Sequence, residues 1–187
     1  MRVITGSARG RRLQTLEGND VRPTTDKVKE ALFSIVQFEL EGRRVLDLFA
    51  GSGQLGIEAL SRGADSCVFI DASKKAIEIV RQNLAATGLA RRASVIHGDA
   101  LRYLQTSRDR FDVAFLDPPY GTGTLQRALV LLPPLMRRSG VIVCEAPKGE
   151  ALPQTAGDFQ IWRTYQYSKV TLTVYRGAPQ EETEDDG

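Results

Sequence analysis

Apolar and polar residues follow two different periods along this chain. Five short runs are almost continuously apolar: RVLDLF at 44–49, CVFID at 67–71, ASVIHGD at 93–99, FDVAFLD at 111–117 and GVIVCEA at 140–146. Runs of this length, rich in Val, Ile, Leu and Phe, predict strands covered on both faces, as in a parallel sheet. Between them the apolar spacing lengthens to that of a helix. Gln54 to Arg62 carries Leu55, Ile57, Ala59 and Leu60 behind a glycine turn. Ser73 can cap a helix whose Ile77, Val80 and Leu84 share one stripe, and Gly88 stands where such a helix needs a left-handed residue to stop. TLQRALVLL at 124–132 predicts another helix, ended by Pro133 and Pro134. Repeated strand-then-helix order argues for parallel strands joined by crossover helices.

Beyond Pro153 the period returns to two. FQIWRTYQY and KVTLTVYR, separated by a polar turn, predict an antiparallel hairpin closing the sheet edge, with Trp162, Tyr165 and Tyr167 filling it. At the other end, RVITG and RRLQTL flank the turn-like SARG, so residues 1–25 are expected to form a small basic β-hairpin extension, followed by a helix from about Asp26 to Phe38. The expected architecture is α/β: one doubly wound domain over residues 26–176 with that N-terminal extension. Residues 177–187 (GAPQEETEDDG) have five acids and one apolar side chain, Ala178, and read as a disordered acidic tail.

Composition narrows the chemistry. The 187 residues are 42% hydrophobic and 26% charged, as in ordinary globular proteins. No run approaches the roughly 18 apolar residues of a membrane span, and the basic start MRVITGSARGRRL has no apolar stretch of about 7–15 residues behind it. Neither secretion nor membrane insertion is expected. Cys67 and Cys144 both lie inside apolar runs, where cysteine packs as a small hydrophobe. With His97 as the one histidine, expected to pack or hydrogen-bond at the third strand's end, neither a metal site nor a histidine-based nucleophilic triad is in view. Formal charge is +2, but without the tail 25 bases face 18 acids, a balance that suits an anionic partner.

The acids fall in a pattern. Asp47 lies within the first run, and Asp71, Asp99, Asp117 and Glu145 stand at or just past the ends of the other four. All five are expected at the carboxyl edge of the sheet, where ligands of such folds bind at the topological switch point. Any one of them could equally cap a helix or turn.

After Asp47 the chain continues LFAGSGQLG, a glycine loop with GxGxxG spacing. That spacing would suit a nicotinamide dinucleotide, with Asp71, twenty residues past Gly51, on a ribose hydroxyl. A carboxylate at Asp47 should repel a pyrophosphate, however, and suits the amino group and sulfonium of S-adenosylmethionine. On that reading Gly51 and Gly53 allow close backbone approach, Asp71 binds the ribose and Asp99 accepts from the adenine amine.

The DPPY segment at 117–120 directly follows the fourth run. Its two prolines end the strand and remove two backbone donors, leaving carbonyls and Asp117 as acceptors while Tyr120 offers a flat face. An exocyclic amine needs that set: acceptors for its N–H groups and a stacking surface for its ring.

Several motifs, taken in order, resemble those of Rossmann-like, S-adenosylmethionine-dependent amino-methyltransferases: DLFAGSGQLGIEALSRGA, VFIDASKKAIEIVRQNL, HGDALRYL and FLDPPYGTG. RVITGSARGRRL and RPTTDKVKEALFSIV are similar to the N-terminal signature of the RsmD family, bacterial enzymes that methylate the N2 amine of one guanine in 16S ribosomal RNA. The resemblance covers roughly residues 1–176 and implies a mostly parallel seven-stranded sheet in the order 3-2-1-4-5-7-6, with an antiparallel C-terminal hairpin. In that order Cys67 and Cys144 are three strand spacings apart, roughly 14 Å. This is beyond the about 7 Å limit of a disulfide, so reduced thiols and a cytoplasmic setting are expected.

The resemblance further implies S-adenosylmethionine on Asp47, Gly51, Gly53, Asp71 and Asp99, with backbone contacts from Ala72 and Ala100, and the target guanine on Asp117, Pro118 and Tyr120. Arg22 and Thr24 are placed near the cofactor or the target, although Arg-Pro-Thr is equally an ordinary helix start. The implied partner is small-subunit ribosomal RNA as an assembling 30S particle, met by a monomer. Arg2, Arg9, Arg11, Arg12 and Arg22, with Lys27 and Lys29, are expected on its phosphates. Other target amines (adenine, cytosine or a protein amide), a nicotinamide oxidoreductase and a non-catalytic RNA-binding protein stay open as alternatives.

Overall fold

The short apolar runs form the strands of one sheet, and their side chains alternate between two cores. A computed structural model describes residues 1–16 and 26–177. The parallel strands are β1 (Arg44–Asp47), β2 (Ser66–Asp71), β3 (Ala93–His97), β4 (Phe111–Leu116) and β5 (Met136–Pro147). Three further strands, β6 (Thr155–Ala156), β7 (Phe159–Tyr167) and β8 (Val170–Gly177), complete the order β3-β2-β1-β4-β5-β8-β7-β6. The expected seven-strand order is present, and the two-residue β6 extends it to eight at the edge beside β7. β8 pairs antiparallel with both β5 and β7.

The crossover helices are α2 (Gln54–Ser61), α3 (Lys74–Thr87), α4 (Ala100–Thr106) and α5 (Thr124–Leu131), preceded by α1 (Asp26–Val36). α1 ends two residues before Phe38, which lies in a short 3-10 turn and is 88% exposed. One face of the sheet, with Val45, Val113 and Phe115, packs under α1, α2 and α3; the other, with Leu46, Ala114 and Leu116, packs under α4 and α5. A single step along a strand switches cores, so the runs have to be apolar throughout.

Local sequence sets the helix ends as expected. Ser73 Oγ accepts from Ala76 N–H at the start of α3, and Gly88 ends that helix at φ +73. Gly56, inside α2, has a different purpose: a Cβ there would lie 2.3 Å from the Phe69 ring and 2.7 Å from Cys67 Sγ. The absent side chain lets α2 seat directly on β2 beside the loop that precedes it.

The N-terminal hairpin is reduced to a single antiparallel bridge between Arg2 and Arg12, backed by bonds from Val3 N–H to Arg11 O and from Leu13 N–H to Met1 O, both 2.9 Å. It packs on the domain, with Val3, Ala8 and Leu13 buried in the core under α1 to α3. Glu58 on α2, fully buried, accepts from Ile4 N–H at 2.8 Å, Thr5 N–H at 2.9 Å, Arg62 Nε at 2.9 Å and Lys29 Nζ at 3.1 Å.

Lys29 therefore corrects an expectation. It is fully buried, not on a basic surface, because it shares the inward stripe of α1 with Val28, Leu32, Phe33 and Val36. Burial, outweighing the raising influence of Glu58, lowers its pKa from the ordinary lysine value. Arg22, Thr24 and the acidic tail from residue 178 onward lie outside the described residues.

Trp162 does not fill the hairpin. A register shift between Ile161 and Arg163 turns it outward, and it is 46% exposed, with the Arg163 and Arg176 guanidinium carbons 5.0 and 4.6 Å from its ring centroid. Tyr165 and Tyr167 are partly buried against the core. Cys67 and Cys144 are free and buried on β2 and β5, and burial raises both thiol pKa values. No helix among the described residues is long and apolar enough to cross a membrane.

Candidate active site

Where β1 separates β2 on one side from β4 on the other, the crossovers leave on opposite faces and a cleft opens at the carboxyl ends of the strands. It has a volume of about 420 Å³. Its floor is the glycine loop after β1. Gly51 and Gly53 adopt φ +55 and +80, a region costly for residues with a Cβ, and the loop closes with a 2.7 Å bond from Gly53 N–H to Ala50 O.

Asp71, at the end of β2, fixes this loop. One carboxylate oxygen accepts from Gly51 N–H at 2.9 Å and the other from Ser73 N–H at 2.8 Å. Each oxygen keeps acceptor capacity on the cleft side, which Asp71 lines together with Ala72. His97 Nε2 lies 3.0 Å from the Ala72 carbonyl, a bond that steadies the turn from the neighbouring strand end. Asp99 caps α4 by accepting from Arg102 N–H at 2.8 Å and also lines the cleft beside Ala100. For these two acids, capping and cleft-facing roles coexist in one carboxylate.

The opposite wall is the DPPY turn. Asp117, Pro118 and Tyr120 all border the cleft, and Tyr120 Oη lies 3.3 Å from Glu145 Oε1 on β5. The fifth strand-end acid thus backs the turn and is 6% exposed.

Asp47, expected on the cofactor, stands at the carboxyl edge as the last residue of β1 but is buried there. It is 2% exposed, does not border the cleft, and its Oδ2 accepts from Gly56 N–H at 2.9 Å beneath the first turn of α2. Burial, with a smaller push from the Asp71 charge and against the Gly56 bond, raises its pKa to about 7. Gly53 is likewise off the cleft wall; its αL backbone starts α2, and a Cβ there would press on Val80 at 3.2 Å.

Two contributors lie outside the residues expected from the sequence. Gln54 borders the cleft, and its Oε1 is a buried acceptor with no hydrogen-bond partner among the described residues, which suits a ligand bearing N–H or O–H donors. Met1, Thr15 and Leu16 roof the cleft from the N-terminal arm. Gln54 has a local signal, its place directly after Gly53 in the glycine loop, whereas the arm residues depend on how a distant segment docks. The basic residues Arg2, Arg9, Arg11 and Arg12 are all exposed on that arm.

The residues present fit S-adenosylmethionine. Asp71 and Asp99 offer acceptors at two successive strand ends, Gln54 an orphaned acceptor over the loop, and Leu101 an apolar wall. Among the described residues no cluster of His, Cys, Asp and Glu could hold a metal ion.

A family profile described as "Conserved hypothetical protein 95" matches residues 1–176. Ribosomal RNA small subunit methyltransferase D of Escherichia coli is 31% identical over 188 aligned positions, which take in 100% of this chain and 94% of that protein. The chain belongs to the RsmD family. A Bacillus subtilis relative named as a candidate rRNA methyltransferase, YlbH, is 43% identical over 94% of this chain and 98% of its own. Among solved structures, an Escherichia coli protein described as a candidate methyltransferase, yhhF, superposes with a TM-score of 0.83 at 31% identity. That superposition covers 96% of this chain and 99% of the other. The sheet order and cleft described above are therefore the Rossmann-like frame of an RsmD-family methyltransferase.

Proposed function

We propose that this RsmD-family chain uses S-adenosylmethionine to methylate the exocyclic N2 amine of a guanine in small-subunit ribosomal RNA. The observation that carries the reading is the sharing of one cleft by Asp71 and Asp99 on one side and Asp117, Pro118 and Tyr120 on the other. The names of its relatives as small-subunit rRNA methyltransferases support the choice of RNA.

Asp71 takes the ribose hydroxyls, Asp99 the adenine amine and Gln54 Oε1 a donor of the methionine part, while Ala72 and Ala100 present backbone to the adenosine. The bound cofactor supplies a methyl group on a positively charged sulfur, taken up by the amine in a direct displacement that yields S-adenosylhomocysteine. Asp117 and the Pro118 carbonyl accept N–H bonds from the amine, directing its lone pair toward the methyl group, and Tyr120 stacks on the purine. Orientation of this kind is worth up to roughly 7–11 kcal/mol. The amine proton leaves to water after methyl transfer, and because the methyl passes directly to the nitrogen no covalent enzyme intermediate forms.

A stacked base has no access to a cleft at a sheet edge, so the target is extruded, at a cost of about a few kcal/mol, least in looped or partly assembled RNA. Arg2, Arg9, Arg11 and Arg12, with Arg22, engage its phosphates. The substrate is an assembling 30S particle, and the chain acts on it as a monomer in the cytoplasm.

The deciding experiment is labelled-methyl transfer to small-subunit particles from a strain lacking the modification, followed by nucleoside analysis. N2-methylguanosine is the expected product. Label in methyladenosine, methylcytidine or protein would overturn the guanine assignment, and no transfer would overturn the whole reading.

A further inference from the structure

Asn83 ties the N-terminal arm to the glycine loop. It lies in the third turn of α3, is 1% exposed, and stands between Val80 and Leu84 on a stripe where an apolar residue would be expected. Its Oδ1 accepts from Gln14 N–H at 2.7 Å, and its Nδ2 donates to Gln14 O at 3.0 Å and to Ser52 O at 2.9 Å. These partners fix the amide orientation, since turning it over would set donor against donor and oxygen against two carbonyls.

Both partners lead directly to the cleft. Ser52 borders it from the glycine loop, and Thr15 and Leu16, which follow Gln14, border it from the arm. The same arm carries the exposed Arg9, Arg11 and Arg12. One buried amide therefore bridges a part of the cofactor wall and the segment assigned to RNA. A buried amide is costly unless its bonds are made, so arm and loop dock together or leave several polar groups unpaired.

We infer that Asn83 is a positioning residue that couples cofactor binding to RNA binding through the arm. The inference rests on the function proposed above. A ligand that orders the glycine loop stabilises the docked arm, and RNA that holds the arm stabilises the loop; by linkage the two affinities rise by one common factor.

The test measures the affinity of the full chain for S-adenosylhomocysteine with and without small-subunit particles, together with amide exchange at Gln14. In the wild type, particles tighten S-adenosylhomocysteine by about fivefold or more, and S-adenosylhomocysteine slows exchange at Gln14. Asn83→Ala, and Asn83→Asp, which keeps the acceptor but loses both donors, weaken S-adenosylhomocysteine by about tenfold and abolish the particle-dependent gain.

A purely structural Asn83 would lower the melting temperature and leave the gain intact; that result overturns the inference. So does wild-type exchange at Gln14 indifferent to S-adenosylhomocysteine, a measurement that needs no variant. If particles are methylated but do not alter S-adenosylhomocysteine affinity, the coupling falls and the proposed function stands. If the wild type binds no S-adenosylhomocysteine, both fall.

Discussion

Glu58 Oε2 lies 3.1 Å from Lys29 Nζ, and neither side chain reaches solvent. Lys29 also donates to the Arg2 carbonyl at 3.1 Å, so the pair joins α1, α2 and the N-terminal arm. Removing one member of such a pair leaves the other charge buried without compensation. Glu58→Ala should cost about 3–5 kcal/mol in urea unfolding, and Lys29→Met combined with Glu58→Met should recover only the part due to the uncompensated lysine, because the Ile4 and Thr5 N–H groups and Arg62 still lose their acceptor.

Asp47 makes stability depend on pH. Its folded pKa of about 7 lies above the ordinary 3.8, so between these values the folded state binds more protons than the unfolded one. Its contribution is fully present below about pH 4 and is lost as pH rises through about 7. Asp47→Asn removes the ionisation and keeps an acceptor for Gly56 N–H. Relative to wild type, the variant should gain stability steadily from pH 4 to 7, by a total on the order of 4 kcal/mol in paired denaturant titrations.

Asp71 holds two loop N–H groups and faces the proposed ribose site. Charge-assisted bonds of this kind are worth roughly 1.5–3 kcal/mol each, so Asp71→Ala should weaken S-adenosylhomocysteine by about tenfold to a hundredfold by calorimetry.

Across the cleft, Asp117→Ala and Tyr120→Ala should leave S-adenosylhomocysteine affinity near wild type. Single-turnover methyl transfer should fall by about a hundredfold, the usual effect of a misplaced reactant. Unchanged single-turnover rates would remove both residues from the amine site.

The arm arginines are best tested by substitution. Deleting residues 1–12 would strip Val3 and Ala8 from the core and leave Glu58 and Ser61 without backbone partners, disturbing the cofactor cleft as well. Arg9→Gln, Arg11→Gln and Arg12→Gln touch exposed side chains only. Each that meets a phosphate should make the salt dependence of RNA binding shallower by about one in log–log slope, with cofactor affinity retained.

The sequence by itself determined the strands, the crossover helices and the glycine loop, because a run of apolar residues, a capping Ser73 and a positive-φ Gly51 or Gly53 act within a few neighbours along the chain. It also placed Asp71, Asp99 and Asp117 at strand ends, since parallel strands in one sheet share a carboxyl edge. Which acids border the cleft was decided only in three dimensions. Asp47 turns under α2, and Glu145 sits behind Tyr120, because the helix start and the DPPY turn cover them. The inward turn of Lys29 and the outward turn of Trp162 were decided the same way, by a buried partner 29 positions away and by a local slip in strand pairing. Asn83 pairs with Gln14 across 69 residues, and no local pattern records a bond that exists only once the arm has docked.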